Sequence, residues 1–324
     1  MSSSVISVLT RFTNLPDALR KCVPTKIFHH VENPATDTQF RQSEIIISDS
    51  DLLVNHINNL PKVKWIQTTW AGVESLTNAV DPSEPPKFPV TRFTGKYYGH
   101  FMSEYCVAQI INFERHMKYL LENQKSKIWE KNELTRGYRA LFELTVGIMG
   151  LGNIGLRVGK TLHMMGCNVI GYGRRSNFDS EKNNFVSMYF SGNDLRDMLR
   201  KCDYVINLLP NTKVTTGFLN GDVLANCAER GAVFINVGRG SVISEDSLMN
   251  ALKNKWISGA ILDVIDREPL PSSSPLWDLP NVIITPHVSC VSRVQDMADQ
   301  FKENLALYEQ QLPIPYTIDF VAGY

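Results

Sequence analysis

Short apolar runs alternate with amphipathic stretches along most of the chain. A short apolar run bounded by turn residues predicts a strand, and apolar residues recurring every three or four positions predict a helix. In the first hundred residues, helices are predicted near 15–22 and 50–58. Four strands are predicted in the same region, at Val5–Leu9, Ile45–Ser48, Val63–Thr68 and Phe88–Phe93.

The pattern changes after residue 99. Apolar residues at helical spacing predict one helix from about Gly99 to Leu121, and the polar stretch 122–143 resembles an arm or connector. Beyond it, strands and helices alternate regularly. Strands are predicted near 144–149, 168–172, 203–207, 231–236, 258–263 and 281–285. This alternation predicts an α/β protein whose main sheet is doubly wound and parallel, of the Rossmann type.

The end of the chain bears on its domain organisation. A last amphipathic helix, about 291–311, is expected to return to the first part of the chain. The sequence therefore predicts a discontinuous domain of residues 1–99 and 289–324 and a second domain of residues 100–288. A chain of 324 residues is long enough for about two domains with cores of their own.

Composition excludes several classes of partner. Hydrophobic residues make up 43% and charged residues 20% of the chain, as in ordinary soluble enzymes. The formal net charge is zero, which argues against nucleic acid bound by bulk electrostatics. No apolar run approaches the roughly 20 residues of a membrane span, and residues 1–10 predict a strand, not a signal peptide. Six cysteines without a C-x-x-C pair favour reduced thiols in a cytoplasmic protein.

One segment carries a dinucleotide-binding pattern. The apolar run Leu144–Met149 is followed by a G-x-G-x-x-G motif at 150–155, an amphipathic run and a second apolar run. In a βαβ unit the first glycine permits the turn, the second lets a pyrophosphate approach, and the third packs the helix on the strand. The helix N-terminus then presents amide N–H groups to the anion. The predicted cofactor-binding residues are Gly150, Gly152, Asn153, Ile154 and Gly155.

The end of the second strand bears on the choice of cofactor. An acidic residue that would bind the ribose 2′-OH is expected at position 173, but this residue is Gly173, followed by Arg174 and Arg175. A carboxylate would repel a 2′-phosphate, whereas a guanidinium can bind one with two hydrogen bonds. The sequence therefore favours NADP(H), with NAD(H) still possible. The alternative is a pair of solvated arginines in a surface loop.

Candidate catalytic side chains follow three later strands of the same predicted sheet. Arg239 follows the strand that ends at Asn236, Asp263 ends the next strand with Glu268 close behind, and His287 follows the last strand. The carboxyl ends of parallel strands meet at one edge, where ligands bind. Arginine can hold the carboxylate of a 2-oxo acid, and histidine can give a proton to the alkoxide that hydride transfer forms. A carboxylate beside the imidazole favours its protonated form and fixes its orientation.

Each of these residues also has a structural interpretation. Arg239 could be a surface cation, Glu268 a solvated loop carboxylate and His287 a structural histidine. Their joint position at three strand ends favours the catalytic interpretation. No metal is predicted, because no second histidine, cysteine or acidic residue stands at ligand spacing to His287.

Several motifs, taken in order, resemble those of the D-isomer-specific 2-hydroxyacid dehydrogenase family, and the likeness covers most of residues 60–324. The matching segments are Gly-Leu-Gly-Asn-Ile-Gly (150–155), Leu-Leu-Pro-Asn-Thr (208–212), Asn-Val-Gly-Arg-Gly (236–240), Leu-Asp-Val (262–264), Glu-Pro-Leu-Pro (268–271) and Thr-Pro-His (285–287). The resemblance implies a Rossmann cofactor domain at 100–288 and a smaller, flavodoxin-like α/β substrate domain.

The resemblance also implies roles for individual residues. Arg239 would bind substrate, Glu268 would pair with His287, and His287 would be the general acid of the reduction. Asp263 would contact the nicotinamide carboxamide, and Thr215 or Thr212 would lie near the pyrophosphate. Three further residues of matching motifs are expected to bind the cofactor: Leu209, Pro210 and Val237. The loop expected to hold the substrate carboxylate consists of Trp70, Ala71, Gly72 and Val73, although it could be a simple turn.

Within the family, the glyoxylate/hydroxypyruvate reductase group is most similar. The likeness rests on Met-Ser-Glu-Tyr at 102–105, Arg115, Trp129 and the ending Asp-Phe-Val-Ala-Gly-Tyr. It implies NADPH-dependent reduction of a small 2-oxo acid to the D-2-hydroxy acid, by a homodimer in which residues 122–143 reach the partner. Trp70, where many relatives carry a small residue, either narrows the substrate pocket or packs under its loop.

Other functions stay open. A D-2-hydroxyacid dehydrogenase of other specificity is one, and a D-3-phosphoglycerate dehydrogenase is another, although it is disfavoured because residue 173 is Gly173 and not acidic. A formate dehydrogenase would carry Gln where Glu268 stands. A non-catalytic nucleotide-sensing corepressor could share the scaffold, but the chain lacks long disordered tails.

Overall fold

The computed structural model describes residues 5–174 and 178–324, which form two compact units. One unit contains the residues up to Tyr97 together with Val291–Tyr324, and the other is Tyr98–Cys290. The sequence predicts that the first of these units binds the substrate and the second the cofactor.

The smaller unit is built on a five-stranded parallel sheet. The strands lie in the order β2-β1-β3-β4-β5, a flavodoxin-like order. They are β1 (Val5–Leu9), β2 (Ile27–His30), β3 (Ile45–Ser48), β4 (Trp65–Thr68) and β5 (Val90–Thr91). The helices are α1 (Leu15–Cys22), α2 (Thr38–Gln42), α3 (Glu74–Ala79) and the C-terminal α10 (Val294–Glu309).

The return of α10 to this unit is visible in its core. Trp65 of β4 stacks on Phe301 and Tyr308 of α10, with ring centroids 5.2 and 5.3 Å apart. Asn304 of the same helix donates a buried hydrogen bond to Gln67. Residues more than two hundred positions apart therefore share one apolar and polar core.

The smaller unit differs from the prediction in one helix and in an additional strand, among other elements. The helix predicted at 50–58 is a pair of short 3-10 turns, Ser50–Leu53 and Ile57–Asn59, in a stretch whose asparagines compete with helical hydrogen bonding. The strand β2 was not predicted, because its sequence Ile-Phe-His-His has an apolar run of only two residues. It lies at the sheet edge and buries mainly Phe28.

The larger unit confirms the predicted doubly wound Rossmann sheet. All its strands are parallel, in the order β12-β11-β10-β9-β6-β7-β8. They are β6 (Thr145–Met149), β7 (Asn168–Gly173), β8 (Met188–Ser191), β9 (Tyr204–Asn207), β10 (Val233–Asn236), β11 (Gly259–Leu262) and β12 (Val282–Ile284). Six of these were predicted; the edge strand β8 is only partly buried and lacks a clear apolar run.

Helices precede, follow or connect the strands of this sheet along the chain. They are α4 (Lys96–Glu114), α5 (Met117–Lys125), α6 (Glu133–Arg136), α7 (Asn153–Met164), α8 (Leu195–Leu199) and α9 (Glu245–Lys253). The single helix predicted from Gly99 to Leu121 is wrong, because His116 adopts a left-handed conformation with φ of 51° and separates α4 from α5. Within the described ranges, no helix is long and apolar enough to cross a membrane.

Candidate active site

The glycine motif lies at the switch point of the larger sheet, between β6 and β9. Gly150 has a φ of +99°, and a Cβ there would lie 2.8 Å from the Leu208 carbonyl oxygen, so a side chain is excluded. A Cβ on Gly155 would collide with the carbonyl of Gly150, which is the close packing the motif predicts. A Cβ on Gly152, in contrast, would meet no protein atom within 4 Å.

The space beside Gly152 therefore lies outside the protein's own packing. Gly152 is also the N-cap of α7 and supplies no side-chain cap. The first amides of this 12-residue helix, at Asn153 and Ile154, are thus available to an external anion. The observed turn fits a dinucleotide pyrophosphate, because it combines open space, amide donors and the positive end of a helix dipole.

At the end of β7, a side chain on residue 173 would require the Tyr189 side chain to move. A Cβ on Gly173 would lie 2.5 Å from the Tyr189 hydroxyl oxygen, and the Tyr189 ring stacks on Phe178 with centroids 4.3 Å apart. Arg174 follows as an exposed residue. Arg175, the second predicted phosphate ligand, lies outside the described residues.

The segment after β9 folds into a compact turn. The Thr215 hydroxyl donates to the Pro210 carbonyl at 2.6 Å and accepts the Thr212 amide at 2.8 Å. Leu209 is held by its own amide, which donates to the Asn207 side chain at 3.1 Å. The predicted residues Leu209, Pro210 and Thr215 therefore belong to one braced loop at the carboxyl edge of the sheet.

Two buried asparagines that sequence reasoning missed tie this loop to Arg239. Asn207 and Asn236 end the neighbouring strands β9 and β10, and their side chains are joined by a 2.8 Å hydrogen bond. Both amide groups also donate to the backbone carbonyl of Arg239, at 3.5 and 3.3 Å. The available signal was a polar residue at the end of each apolar strand. The adjacent Val237 is buried, and the half-buried Arg239 donates from Nη1 to the Gly238 carbonyl at 2.8 Å.

His287 and Glu268 form the predicted pair. The Nδ1 atom of His287 lies 2.9 Å from Oε2 of Glu268, and the other Glu268 oxygen accepts the Ile265 amide at 3.1 Å. His287 is 55% exposed at its side chain, so the ring is reachable from solvent. With Nδ1 bound to the carboxylate, Nε2 is the ring atom that can act on a ligand.

Asp263 is only 2% exposed, and its hydrogen bonds are made with the loop that carries His287. Its carboxylate accepts the Thr285 hydroxyl at 2.6 Å and the amides of Val288 and Ser289, each at 2.9 Å. Its carbonyl accepts the His287 amide at 2.9 Å. Sequence reasoning assigned Asp263 to the cofactor and did not find this second set of contacts.

The loop of Trp70–Val73 belongs to the smaller unit and follows β4. The Trp70 indole donates to the Ser50 hydroxyl at 3.0 Å and packs edge-on against Phe12. Ser50 in turn donates to the Gly72 carbonyl at 3.2 Å. Within residues 5–174 and 178–324, the amides of Ala71, Gly72 and Val73 donate no hydrogen bond. They are therefore suited to bind an anion such as a carboxylate.

Comparison with known proteins agrees with this architecture. Residues 107–289 match the profile of the D-isomer specific 2-hydroxyacid dehydrogenase NAD binding domain. Glyoxylate/hydroxypyruvate reductase A of Citrobacter koseri is 33% identical over 270 residues, and the match covers 81% of this chain and 82% of the relative. The larger unit is accordingly an NAD(P)-binding domain.

Solved structures extend the likeness to nearly the whole chain. An NADPH-dependent glyoxylate/hydroxypyruvate reductase of Sinorhizobium meliloti, in complex with NADP and sulfate, has a TM-score of 0.81 and 28% identity, covering 99% of this chain and 100% of that one. A probable 2-hydroxyacid dehydrogenase of Rhizobium etli, in complex with NADP, HEPES and L(+)-tartaric acid, has a TM-score of 0.82 and 30% identity, covering 99% of each chain.

Proposed function

We propose that this chain, which belongs to the D-isomer-specific 2-hydroxyacid dehydrogenase family, uses NADPH to reduce glyoxylate to glycolate or hydroxypyruvate to the D-2-hydroxy acid. It is an oxidoreductase of that family, and its specific substrate and cofactor are the proposal. The observation that carries the proposal is the His287–Glu268 pair, with 2.9 Å between Nδ1 and Oε2, at the carboxyl edge of an NAD(P)-binding sheet.

His287 is the proposed proton donor. Its Nδ1 proton is committed to Glu268, so the proton on Nε2 is the one given to the oxygen of the 2-oxo acid as that oxygen becomes an alkoxide. Glu268 orients the ring, and the Ile265 amide fixes the carboxylate that does so. Arg239 binds the carboxylate and polarises the carbonyl of the substrate.

The turn after β6 is proposed to hold the cofactor pyrophosphate. Gly150 and Gly155 shape the turn, and Gly152 leaves the open space into which the ligand fits. The amides of Asn153 and Ile154 provide donors. The other proposed contacts come from Leu209, Pro210, Thr215, Val237 and Asp263. When bound, the nicotinamide supplies the hydride.

A preference for NADPH is supported by the end of β7. The Tyr189 hydroxyl occupies the space that a side chain at Gly173 would need, so the carboxylate that would repel a 2′-phosphate cannot be built there without rearrangement. Arg174 and Arg175 are the proposed phosphate ligands. The similar Sinorhizobium meliloti enzyme is described as NADPH-dependent and binds NADP.

The amides of Ala71, Gly72 and Val73 are proposed to bind the substrate carboxylate. Trp70 is braced by Ser50 and Phe12, and we propose that this fixed indole restricts the substrate to two or three carbons. A rigid aromatic residue limits size without contributing a charge, which suits small, acidic substrates.

The proposed function includes a homodimeric assembly and a cytoplasmic location. The 122–143 segment exposes Trp129 and Phe142, with 94% and 73% of their surfaces accessible, and we propose that it contacts a second subunit in a homodimer. The six cysteines are free thiols, which fits a reducing cytoplasm.

The test is a substrate panel. Oxidation of NADPH and of NADH is followed by absorbance with glyoxylate, hydroxypyruvate, pyruvate, phenylpyruvate and oxaloacetate, and the product from hydroxypyruvate is resolved on a chiral column. Fast turnover of glyoxylate or hydroxypyruvate with NADPH is expected, and the product from hydroxypyruvate should be the D isomer. Faster turnover of phenylpyruvate, or a preference for NADH, would contradict the proposed specificity.

A further inference from the structure

Tyr105 ends the Met-Ser-Glu-Tyr segment at 102–105, yet the chemistry proposed above does not use it. It lies on α4, and its side chain is partly buried. Its hydroxyl oxygen is 2.6 Å from the Thr285 hydroxyl oxygen. Thr285 stands two residues before His287, so a side chain of α4 reaches the segment that carries the proposed acid.

The direction of this hydrogen bond follows from the next one. The Thr285 hydroxyl lies 2.6 Å from Oδ1 of Asp263, and a carboxylate only accepts hydrogen bonds. The one hydroxyl proton of Thr285 therefore goes to Asp263, and Tyr105 is the donor to Thr285. Burial raises the pKa of Tyr105 above its ordinary value, which keeps the phenol protonated and able to donate.

Asp263 ends this chain of hydrogen bonds with contacts to the backbone around His287. It accepts the amide of His287 through its carbonyl and those of Val288 and Ser289 through its carboxylate, all at 2.9 Å. These bonds hold His287 in a left-handed conformation with φ of 55°, which costs energy for a residue with a side chain. The surroundings must therefore impose it.

We propose that Tyr105 is a positioning residue for the reduction, acting through Thr285 and Asp263 to hold His287 where it can donate its proton. This inference rests on the proposed function, in which His287 is the acid. Linked hydrogen bonds strengthen one another in a low-dielectric interior, so removing one member loosens the others. We expect removal of the Tyr105 hydroxyl to lower mainly kcat, since Tyr105 is not among the proposed ligands of substrate or cofactor.

The experiment compares five variants with the wild-type enzyme. Tyr105→Phe and Thr285→Val each remove one hydroxyl, and a double variant removes both. Thr285→Ser restores the hydroxyl. Tyr119→Phe is the matched control, because it also removes a tyrosine hydroxyl, but one that forms hydrogen bonds with Glu130 and Asn132 and not with Thr285. Steady-state kinetics with NADPH and glyoxylate or hydroxypyruvate give kcat and KM, and thermal melts verify that each variant is folded.

We expect Tyr105→Phe and Thr285→Val to lower kcat about five- to twentyfold, because a displacement of about 1 Å can cost up to about a hundredfold. The KM for NADPH should change less than kcat does, Thr285→Ser should retain most of the wild-type kcat, and Tyr119→Phe should be unchanged. The double variant should be no slower than Thr285→Val alone, because both changes break one chain of bonds. Additive losses, or an unchanged kcat in Tyr105→Phe, would overturn the inference.

A second readout needs no turnover. Hydrogen exchange of the peptide containing the amides of His287, Val288 and Ser289 should be several-fold faster in Tyr105→Phe and Thr285→Val than in wild type. If the wild-type enzyme reduces no 2-oxo acid, the proposed function fails and this exchange comparison decides the positioning claim alone. Exchange that matches wild type in both variants would refute it.

Discussion

At the scale of single residues, the candidate acid is held by its backbone as much as by its side chain. The Glu-Pro segment and the later Thr-Pro-His motif predicted the pair of Glu268 and His287, and their hydrogen bond is present. The left-handed conformation of His287 could not be predicted, because it depends on Asp263, a residue from the neighbouring strand end. Local sequence indicates which groups react, whereas their orientation depends on non-local contacts.

The charge of Glu268 can be tested without removing its hydrogen-bonding groups. Glu268→Gln leaves an acceptor opposite Nδ1 of His287 but no negative charge to stabilise the imidazolium. We expect kcat to fall about a hundredfold, at the lower end of the usual contribution of acid–base groups, with the KM for NADPH nearly unchanged. Steady-state kinetics measure both. The matched control is Asp266→Asn, an exposed carboxylate of the same loop, and an equally large loss there would remove the special role of Glu268.

The proposed cofactor preference can be tested at residue 173, which lies beside Tyr189. In the Gly173→Asp variant the Tyr189 side chain must shift, because the new Cβ would lie 2.5 Å from its hydroxyl oxygen. Adding Tyr189→Phe removes that atom, and the next ring atoms are at 3.4 and 3.6 Å. We expect the double variant to fold and to raise the KM for NADPH at least about tenfold relative to NADH, since the new carboxylate repels a 2′-phosphate.

Steady-state kinetics give the KM for NADPH and the KM for NADH in Gly173→Asp, Tyr189→Phe and the double variant. Thermal melts show whether each variant is folded. Tyr189→Phe alone should keep the NADPH preference. A double variant that still prefers NADPH to the same extent would show that residue 173 does not select the cofactor.

At the scale of elements, strands with a continuous apolar run were predicted well. Short or partly exposed ones were not: β2 and β8 lie at sheet edges and bury one face only in part, so their sequences carry a weak pattern. The break between α4 and α5 lies beside Glu114, whose buried carboxylate accepts bonds from Arg139 and Tyr204. That partner set is non-local, so helical periodicity alone could not predict where α4 ends.

The turn before α7 offers a direct comparison of two glycines. Gly150→Ala should lower the free energy of unfolding by at least about 1–3 kcal/mol, because its φ is +99° and Leu208 lies against it. Gly152→Ala should leave stability unchanged, because its Cβ would meet no protein atom, yet weaken NADPH binding at least about tenfold. Denaturant unfolding and fluorescence titration with NADPH measure the two effects. Full NADPH affinity in Gly152→Ala would argue against a pyrophosphate at this turn.

At the scale of the whole molecule, each unit is a parallel α/β sheet covered by helices, and the C-terminal helix completes the core of the N-terminal unit. The alternating pattern predicted this class, because parallel strands need crossover connections. The same pattern could not predict the hydrogen bond between the buried Asn207 and Asn236 side chains, because a polar residue at the end of a strand is equally typical of the start of a loop.

Cofactor preference should also be visible in the stability of the whole protein. A ligand present at about a hundred times its Kd stabilises the folded state by about 2.7 kcal/mol. For a domain of this size that corresponds to an increase in Tm of about 5–10 °C. We expect NADPH to raise Tm by this amount and NADH, at the same concentration, to raise it less. Calorimetry at matched concentrations measures it, and equal shifts would argue against a phosphate-specific site.

The most direct test of the account is the His287→Gln variant with NADPH already bound. Rapid mixing with glyoxylate or hydroxypyruvate gives the single-turnover rate of NADPH oxidation, and a fluorescence titration gives the Kd for NADPH. The account predicts a single-turnover rate at least about a hundredfold below wild type with an unchanged Kd, because only the proton donor is lost. A rate within a fewfold of wild type would contradict the assignment of His287 as the acid.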